Sequence, residues 1–223
     1  QPVNRRSSLH AANDDPKVTL VFKDMGAHNR SGKPVLQGIT GFMSEGEIMA
    51  VMGLSGGGKT TFLRGLASPK NSNLLYKRNI MAMPGIRVGF VGDEHVLLNE
   101  LTVKETISYA ILLDTPELDR YRLRKRRNRW ISQMDLSEAK DRKIKHLSAG
   151  QRKRVEVAQL LVRSCTLMIM DEPLFALDSI TALNLMKALR QLVDKERINI
   201  ILSVHQPRSQ IFDCLDFVLL IHQ

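Results

Sequence analysis

"VMGLSGGGKTTFL", residues 51–63, places four glycines between positions 53 and 58 and follows them with Lys59, Thr60 and Thr61. The apolar run EIMAVMG (47–53) has the character of a buried parallel strand, and KTTFLRGLA reads as a helix opening at the lysine. Glycines at such a turn let successive backbone N–H groups face inward without Cβ clashes, which makes an anion nest at a helix N-terminus. The stretch also fits the phosphate-loop pattern G-x-x-x-x-G-K-[ST]. Gly53, Leu54, Ser55, Gly56, Gly57, Gly58, Lys59, Thr60 and Thr61 are therefore the candidate phosphate site. Lys59 is expected to reach the β- and γ-phosphates, and the Thr60 hydroxyl to sit on Mg²⁺.

Three further stretches carry chemistry. LMIMDEP ends a second buried strand in two carboxylates. Asp171 is placed to hold the Mg²⁺ water shell, and Glu172 to act as general base on the attacking water. By itself an Asp-Glu pair after a strand is a solvated loop start; its distance behind the phosphate loop gives it the other reading. HLSAGQRKR (146–154) offers Ser148 as the cap of a helix beginning near Gly150, with small residues exposing a second set of N–H groups. One chain does not need two nests for one nucleotide, so this one is expected to close over ATP held by another subunit. His205 follows the apolar run NIILSV and is a candidate donor to the γ-phosphate.

The rest of the chain sets bounds. At 223 residues, 43% hydrophobic and 25% charged, it has the size and composition of one large globular domain. Its longest apolar runs, such as FVLLI (217–221), are strand-sized, far short of the roughly 20 residues that span a bilayer. Residues 1–16 are polar and aperiodic, which reads as a mobile tail without a secretory signal. The missing initiator methionine implies a piece of something larger. Cys165 and Cys214 read as buried free thiols. The net charge of +10 is concentrated in RYRLRKRRNR (120–129), with seven basic residues, and KDRKIK (140–145), with four. Nucleic acid, an anionic membrane surface and a solvated helix face all fit that charge. Residues 99–146 read as an inserted helical segment. Beyond it, strand, helix (about 179–194) and strand in succession imply a parallel sheet with right-handed crossovers.

Taken together, GLSGGGKTT, LSAGQ, LMIMDEP, ALDS (176–179) and His205 resemble the Walker A, signature, Walker B, D-loop and H-loop of an ABC transporter nucleotide-binding domain. The resemblance runs from about residue 18 to 222. SVHQPRSQIFDCLDFVLLI and LTVKET are most similar to the G subfamily. The resemblance implies an α/β P-loop NTPase fold with a RecA-like core over 17–223. To that core it adds an N-terminal antiparallel β-subdomain and an inserted α-helical subdomain at about 99–150. It implies an ATPase using ATP and Mg²⁺ in a head-to-tail dimer, homo- or heteromeric. Thr60, Asp171 and Asp93 would bind metal, and Glu172 and His205 would be catalytic. Leu147, Ser148, Ala149, Gly150 and Gln151 would complete the partner's ATP site, and Asp178 would lie at the dimer contact. It further implies a transmembrane domain in the full-length chain, a place on the cytoplasmic face of a membrane, and transport of an unidentified substrate.

Several positions depart from that pattern. Asp93 stands where a glutamine is usual, Ala149 where the signature has a second glycine, and Leu174-Phe175 where Thr-Ser follows the Walker B proline. No tyrosine precedes the phosphate loop where adenine would stack, and Phe22 and His28 are the nearest rings. Two other functions stay open on these residues: a soluble ABC ATPase acting on nucleic acid or ribosomes, and a weakly or non-hydrolysing partner domain. The 93–147 segment is too short for a long coiled coil and no second cassette is present, so nucleic acid is not the expected partner.

Overall fold

IMAVMG, LMIM and NIILS are apolar on both faces, and a strand of that kind is stable only when both faces are covered. In the computed structural model, which describes residues 17–67, 74–77, 80–82, 84–92 and 97–222, they form the middle of a parallel sheet. The strands are β1 (Val18–Asn29), β2 (Pro34–Ser44), β3 (Ile48–Gly53), β4 (Leu74–Lys77), β5 (Ile80–Ala82), β6 (Val88–Val91), β7 (Leu167–Met170), β8 (Asn199–Ser203) and β9 (Phe217–Ile221). The helices are α1 (Lys59–Ala67), α2 (Val103–Asp114), α3 (Arg120–Gln133), α4 (Ala149–Leu161), α5 (Ser179–Glu196) and α6 (Ser209–Phe212). The parallel sheet has the order β6-β7-β8-β3-β9.

Side chains alternate across these strands between two cores. Ile48, Ala50, Met168, Met170, Ile200 and Leu202 face a layer of helices α2 to α5. Met49, Val51, Leu167, Ile169 and Ile201 face Phe62, Leu63 and Leu66 of α1 and, beyond them, the antiparallel sheet. That second sheet pairs β1 with β2, as the N-terminal stretch leads one to expect. It also recruits β4 and β5, which arrive after α1. β1 accommodates all three partners because it is 12 residues long and its pairing with β2 shifts register four times, which bends it.

The helical layer is set by local signals. Thr102 and Glu105 cap each other's backbone N–H and start α2. Asp119 accepts from the Arg122 amide and starts α3. α3 buries Trp130 and Ile131 and leaves most of its arginines in solvent; Arg122 and the half-buried Arg126 pair with Asp119 and Asp114, and Arg129 with Glu196. Cys165 is a free, buried thiol whose pKa is pushed up to about 11 by burial; Cys214 is also free but only half-buried, short of the full burial expected for it. Residues 1–16 and Asp93 lie outside the described residues. Among the described residues no helix is long and apolar enough to cross a membrane.

Phe22 and Phe62 meet edge to face at 5.3 Å, both fully buried, and tie the antiparallel sheet to α1. Phe62→Ala is expected to lower stability by about 3–5 kcal/mol, read as a lower urea midpoint at unchanged slope.

Candidate active site

β3 runs between β8 and β9 and hands the chain to α1 through Gly53–Gly58. The close pass explains the first glycine: a Cβ on Gly53 would stand 2.2 Å from the Ile221 carbonyl oxygen, and its φ is +153°. Gly56 and Gly58 also carry positive φ, +78° and +93°. Lys59, only 5% exposed, donates through Nζ to the carbonyl oxygens of Gly53 at 3.0 Å and Leu54 at 2.9 Å. A buried ammonium needs partners, and the loop supplies two of the three it can take. Leu54, Ser55 and Gly56 are exposed, Gly57 is buried, and Thr60 and Thr61 are half-buried in the first helical turn.

The other polar ends arrive beside this loop by register. β7 and β8 pair Met170 with Leu202, and β3 and β8 pair Val51 with Ser203. Asp171 and Ser203 are thus neighbours at the C-terminal edge of the sheet. Asp171 is 3% exposed and accepts from the Ser203 hydroxyl at 2.7 Å, while its amide donates to the Val91 carbonyl at 2.8 Å. The Ser203 oxygen in turn accepts from the Glu172 amide at 2.7 Å. Glu172 is left-handed at φ +45°, an uncommon state for a residue with a Cβ. From there its carboxylate meets His205, whose Nε2 donates to Oε1 at 2.7 Å. A cavity of about 280 Å³ opens beside this pair, lined in part by Leu174, Phe175 and Arg208.

The LSAGQ stretch is built differently. Ser148 caps α4 and forms a reciprocal box with Gln151, accepting from the Gln151 amide at 3.2 Å and donating its own amide to Oε1 at 3.1 Å. Its hydroxyl therefore serves its own helix. Leu147 is buried, the Ala149 methyl is exposed, and Gly150 is buried because a Cβ there would lie 2.3 Å from Cγ2 of Thr181. Thr181 stands in the first turn of α5, which Asp178 caps by accepting from the Ile180 and Thr181 amides, each at 3.0 Å. Bonding from Thr181 holds the Asp178 carboxyl below the usual carboxylate range. The LSAGQ and ALDS stretches thus meet at the starts of two packed helices, and Ala176, Leu177 and Ser179 of ALDS line the same cavity as Glu172 and His205.

Phe22 is ruled out as a stacking ring by its complete burial against Phe62. His28 is half-buried in β1, opposite Pro34. A groove of about 840 Å³ adjoins the phosphate loop at Gly57 and is walled by residues 33–40 and Leu219–His222, with Asn29 at its end. Among its described lining residues there is no Phe, Tyr or Trp. Ser203 and Thr181 were not singled out by their sequence; a lone serine closing the apolar run NIILS was the available signal for the first.

A family model described as ABC transporter matches residues 36–175, more than half of the chain. The chain belongs to the ABC transporter family. It carries that family's ATPase domain and is similar to G-family members. It is 35% identical to ABC transporter G family member 25 of Arabidopsis thaliana, over 86% of this chain and 31% of that protein. It is 33% identical to Protein white of Drosophila melanogaster, over 84% of this chain and 30% of that one. The chain spans about a third of the length of these curated relatives. Among solved structures, CbiO1 of Clostridium perfringens, part of the ABC transporter complex CbiONQ, has the same fold. It matches with a TM-score of 0.80 at 23% identity, over 92% of this chain and 85% of that one.

The Gly150–Thr181 contact makes a sharp test of this domain's packing. Gly150→Ala is expected to destabilise by about 1–3 kcal/mol through overpacking. Adding Thr181→Ser, which removes the opposing methyl, is expected to recover most of that loss in urea unfolding, so that the two sites are non-additive.

Proposed function

We propose that this chain is the ATP-hydrolysing motor of a G-type membrane transporter, working in a head-to-tail pair of such domains. The observation that carries the reading is the meeting of three strand ends at one sheet edge. Gly53–Thr61 follow β3, Asp171 and Glu172 follow β7, and His205 follows β8, with Glu172 and His205 2.7 Å apart. The residues suit a nucleotide triphosphate with Mg²⁺. The loop has positive-φ glycines, with no room for a Cβ at Gly53, and strand β7 leads into a buried carboxylate, Asp171.

In this reading the Lys59 ammonium turns from the Gly53 and Leu54 carbonyls to the β- and γ-phosphate oxygens, with the loop amides around them. Thr60 and Asp171 would hold Mg²⁺, with Asp93 as a further oxygen donor; the cation supplies charge neutralisation at the β- and γ-oxygens. Glu172 accepts the proton of the attacking water. His205 leaves Glu172 and donates to the γ-phosphate. The α4 start at Leu147–Gln151 faces the nucleotide of the partner domain, and Asp178 lies at the contact between the two. Leu54 and Phe175 on loops and Ile180 in the first turn of α5, all more than 70% exposed, favour a covering partner. The transmembrane domain belongs to the full-length protein, which sets this domain on the cytoplasmic side of a membrane.

Purified full-length protein is expected to release phosphate from MgATP. Glu172→Gln should still bind ATP while release falls by about 10²-fold or more, the scale of lost general-base catalysis. Release at the wild-type rate by that variant would sink the assignment. Lys59→Ala should weaken ATP binding itself by at least about tenfold, read by equilibrium titration, as loss of a charge-assisted phosphate contact does.

A further inference from the structure

We infer that Ser203 is a positioning residue of the reaction: one buried hydroxyl sets both the Glu172 backbone and the Asp171 carboxylate. The inference rests on the ATPase reading above. Its starting point is a donor count. A hydroxyl has one proton to give and two lone pairs. The Glu172 amide can only donate, so at that contact, 2.7 Å, the Ser203 oxygen accepts. Its single proton then goes to Oδ1 of Asp171, also at 2.7 Å. The direction of both bonds follows, although hydroxyl rotors are otherwise free.

Two consequences bear on the chemistry. Glu172 occupies a left-handed conformation, φ +45°, that a side chain with a Cβ rarely adopts unless its surroundings hold it there. The amide bond to Ser203 is the hold on its N-terminal side, and from this conformation the carboxylate reaches His205. Asp171, almost fully buried, has Oδ1 held by that donor, which restrains the orientation of its carboxylate. Ser203 is itself completely buried and is pinned laterally, through its pairing with Val51, to the strand that ends in the phosphate loop. The hydroxyl thereby references the base and the metal-binding carboxylate to the loop that takes the phosphates. The Ser203 hydroxyl acts through Asp171 and Glu172, the two residues to which it is bonded.

The test uses purified full-length protein with Ser203→Ala and Ser203→Thr. ATP affinity is titrated with and without Mg²⁺, and kcat and KM are measured per nucleotide-binding site, with Tm alongside. Ser203→Ala is expected to keep Mg²⁺-free ATP affinity within about twofold and KM within about threefold, while kcat falls at least about tenfold. The gain in ATP affinity on adding Mg²⁺ should shrink by about fivefold or more, since the carboxylate loses its orienting donor. Ser203→Thr, which keeps the hydroxyl, should recover both. Wild-type kcat and Mg²⁺ gain in Ser203→Ala would overturn the inference. So would a loss that only follows Tm and lowers Mg²⁺-free binding equally, or a Thr variant as impaired as Ala. If wild-type protein binds ATP with a Mg²⁺ gain but releases no phosphate, the ATPase reading falls, and Ser203 is judged on the Mg²⁺ gain alone. If it binds no ATP, both fall.

Discussion

A strand buried on both faces has to deliver its chain ends to polar surroundings, and in this domain that constraint organises nearly everything else. β3, β7 and β8 lie side by side with apolar residues facing two cores, so their backbone groups are satisfied laterally by parallel ladders and their polar residues are confined to the two edges. Parallel strands bring all their C-terminal ends to one edge. The phosphate loop, the two acids and the histidine are there for that reason.

The two edges are put to different uses. At the N-terminal edge the polar groups satisfy one another. Asn199 Oδ1 accepts from the Gly46 amide at 2.8 Å, and Asp216 Oδ2 accepts from the Ile48 amide at 2.8 Å and pairs with Arg190 at 2.5 Å. Arg190 also donates to the Gly46 carbonyl at 3.1 Å. This network fixes where β3 begins relative to β8 and β9. At the C-terminal edge the partners are closer in sequence or fewer. Lys59 leans on its own loop's carbonyls, and Glu172 on His205.

The helical layer adds a second kind of order. Ser148 and Asp178 cap α4 and α5, and Gly150 lets the two helix starts approach until Thr181 fills the space a Cβ would need. The glycine of LSAGQ therefore has a packing role within its own chain as well as any role toward a partner. A movement of α4 would be felt at α5 through that contact, since closely packed surfaces transmit displacement rather than absorb it.

Much of this was legible in the residues themselves because the relevant physics is local. A buried strand stopping at Gly53, the glycines before Lys59, the cap at Ser148 and the strands ending at Asp171 and before His205 all announce themselves within a few positions. A parallel sheet followed from strand, helix and strand signals in succession; its five-strand order came from the structure. The return of β4 and β5 to β1 did not, because short, polar-flanked strands carry little periodicity and their partner lies about 50 positions away. Phe22 was only the nearest ring to the phosphate loop in the sequence, and tertiary packing set it against Phe62. Ser203 is the plainest case. Its neighbours in the chain mark it only as the end of a strand; its bonds run to Asp171 and Glu172, 32 and 31 positions earlier, and exist only because the β7–β8 register puts them side by side. Composition and spacing determined which residue types could hold phosphate, since that depends on backbone freedom and charge within one loop. Which hydroxyl orients which acid was decided by the fold, since a hydrogen bond depends on distance in space and not along the chain.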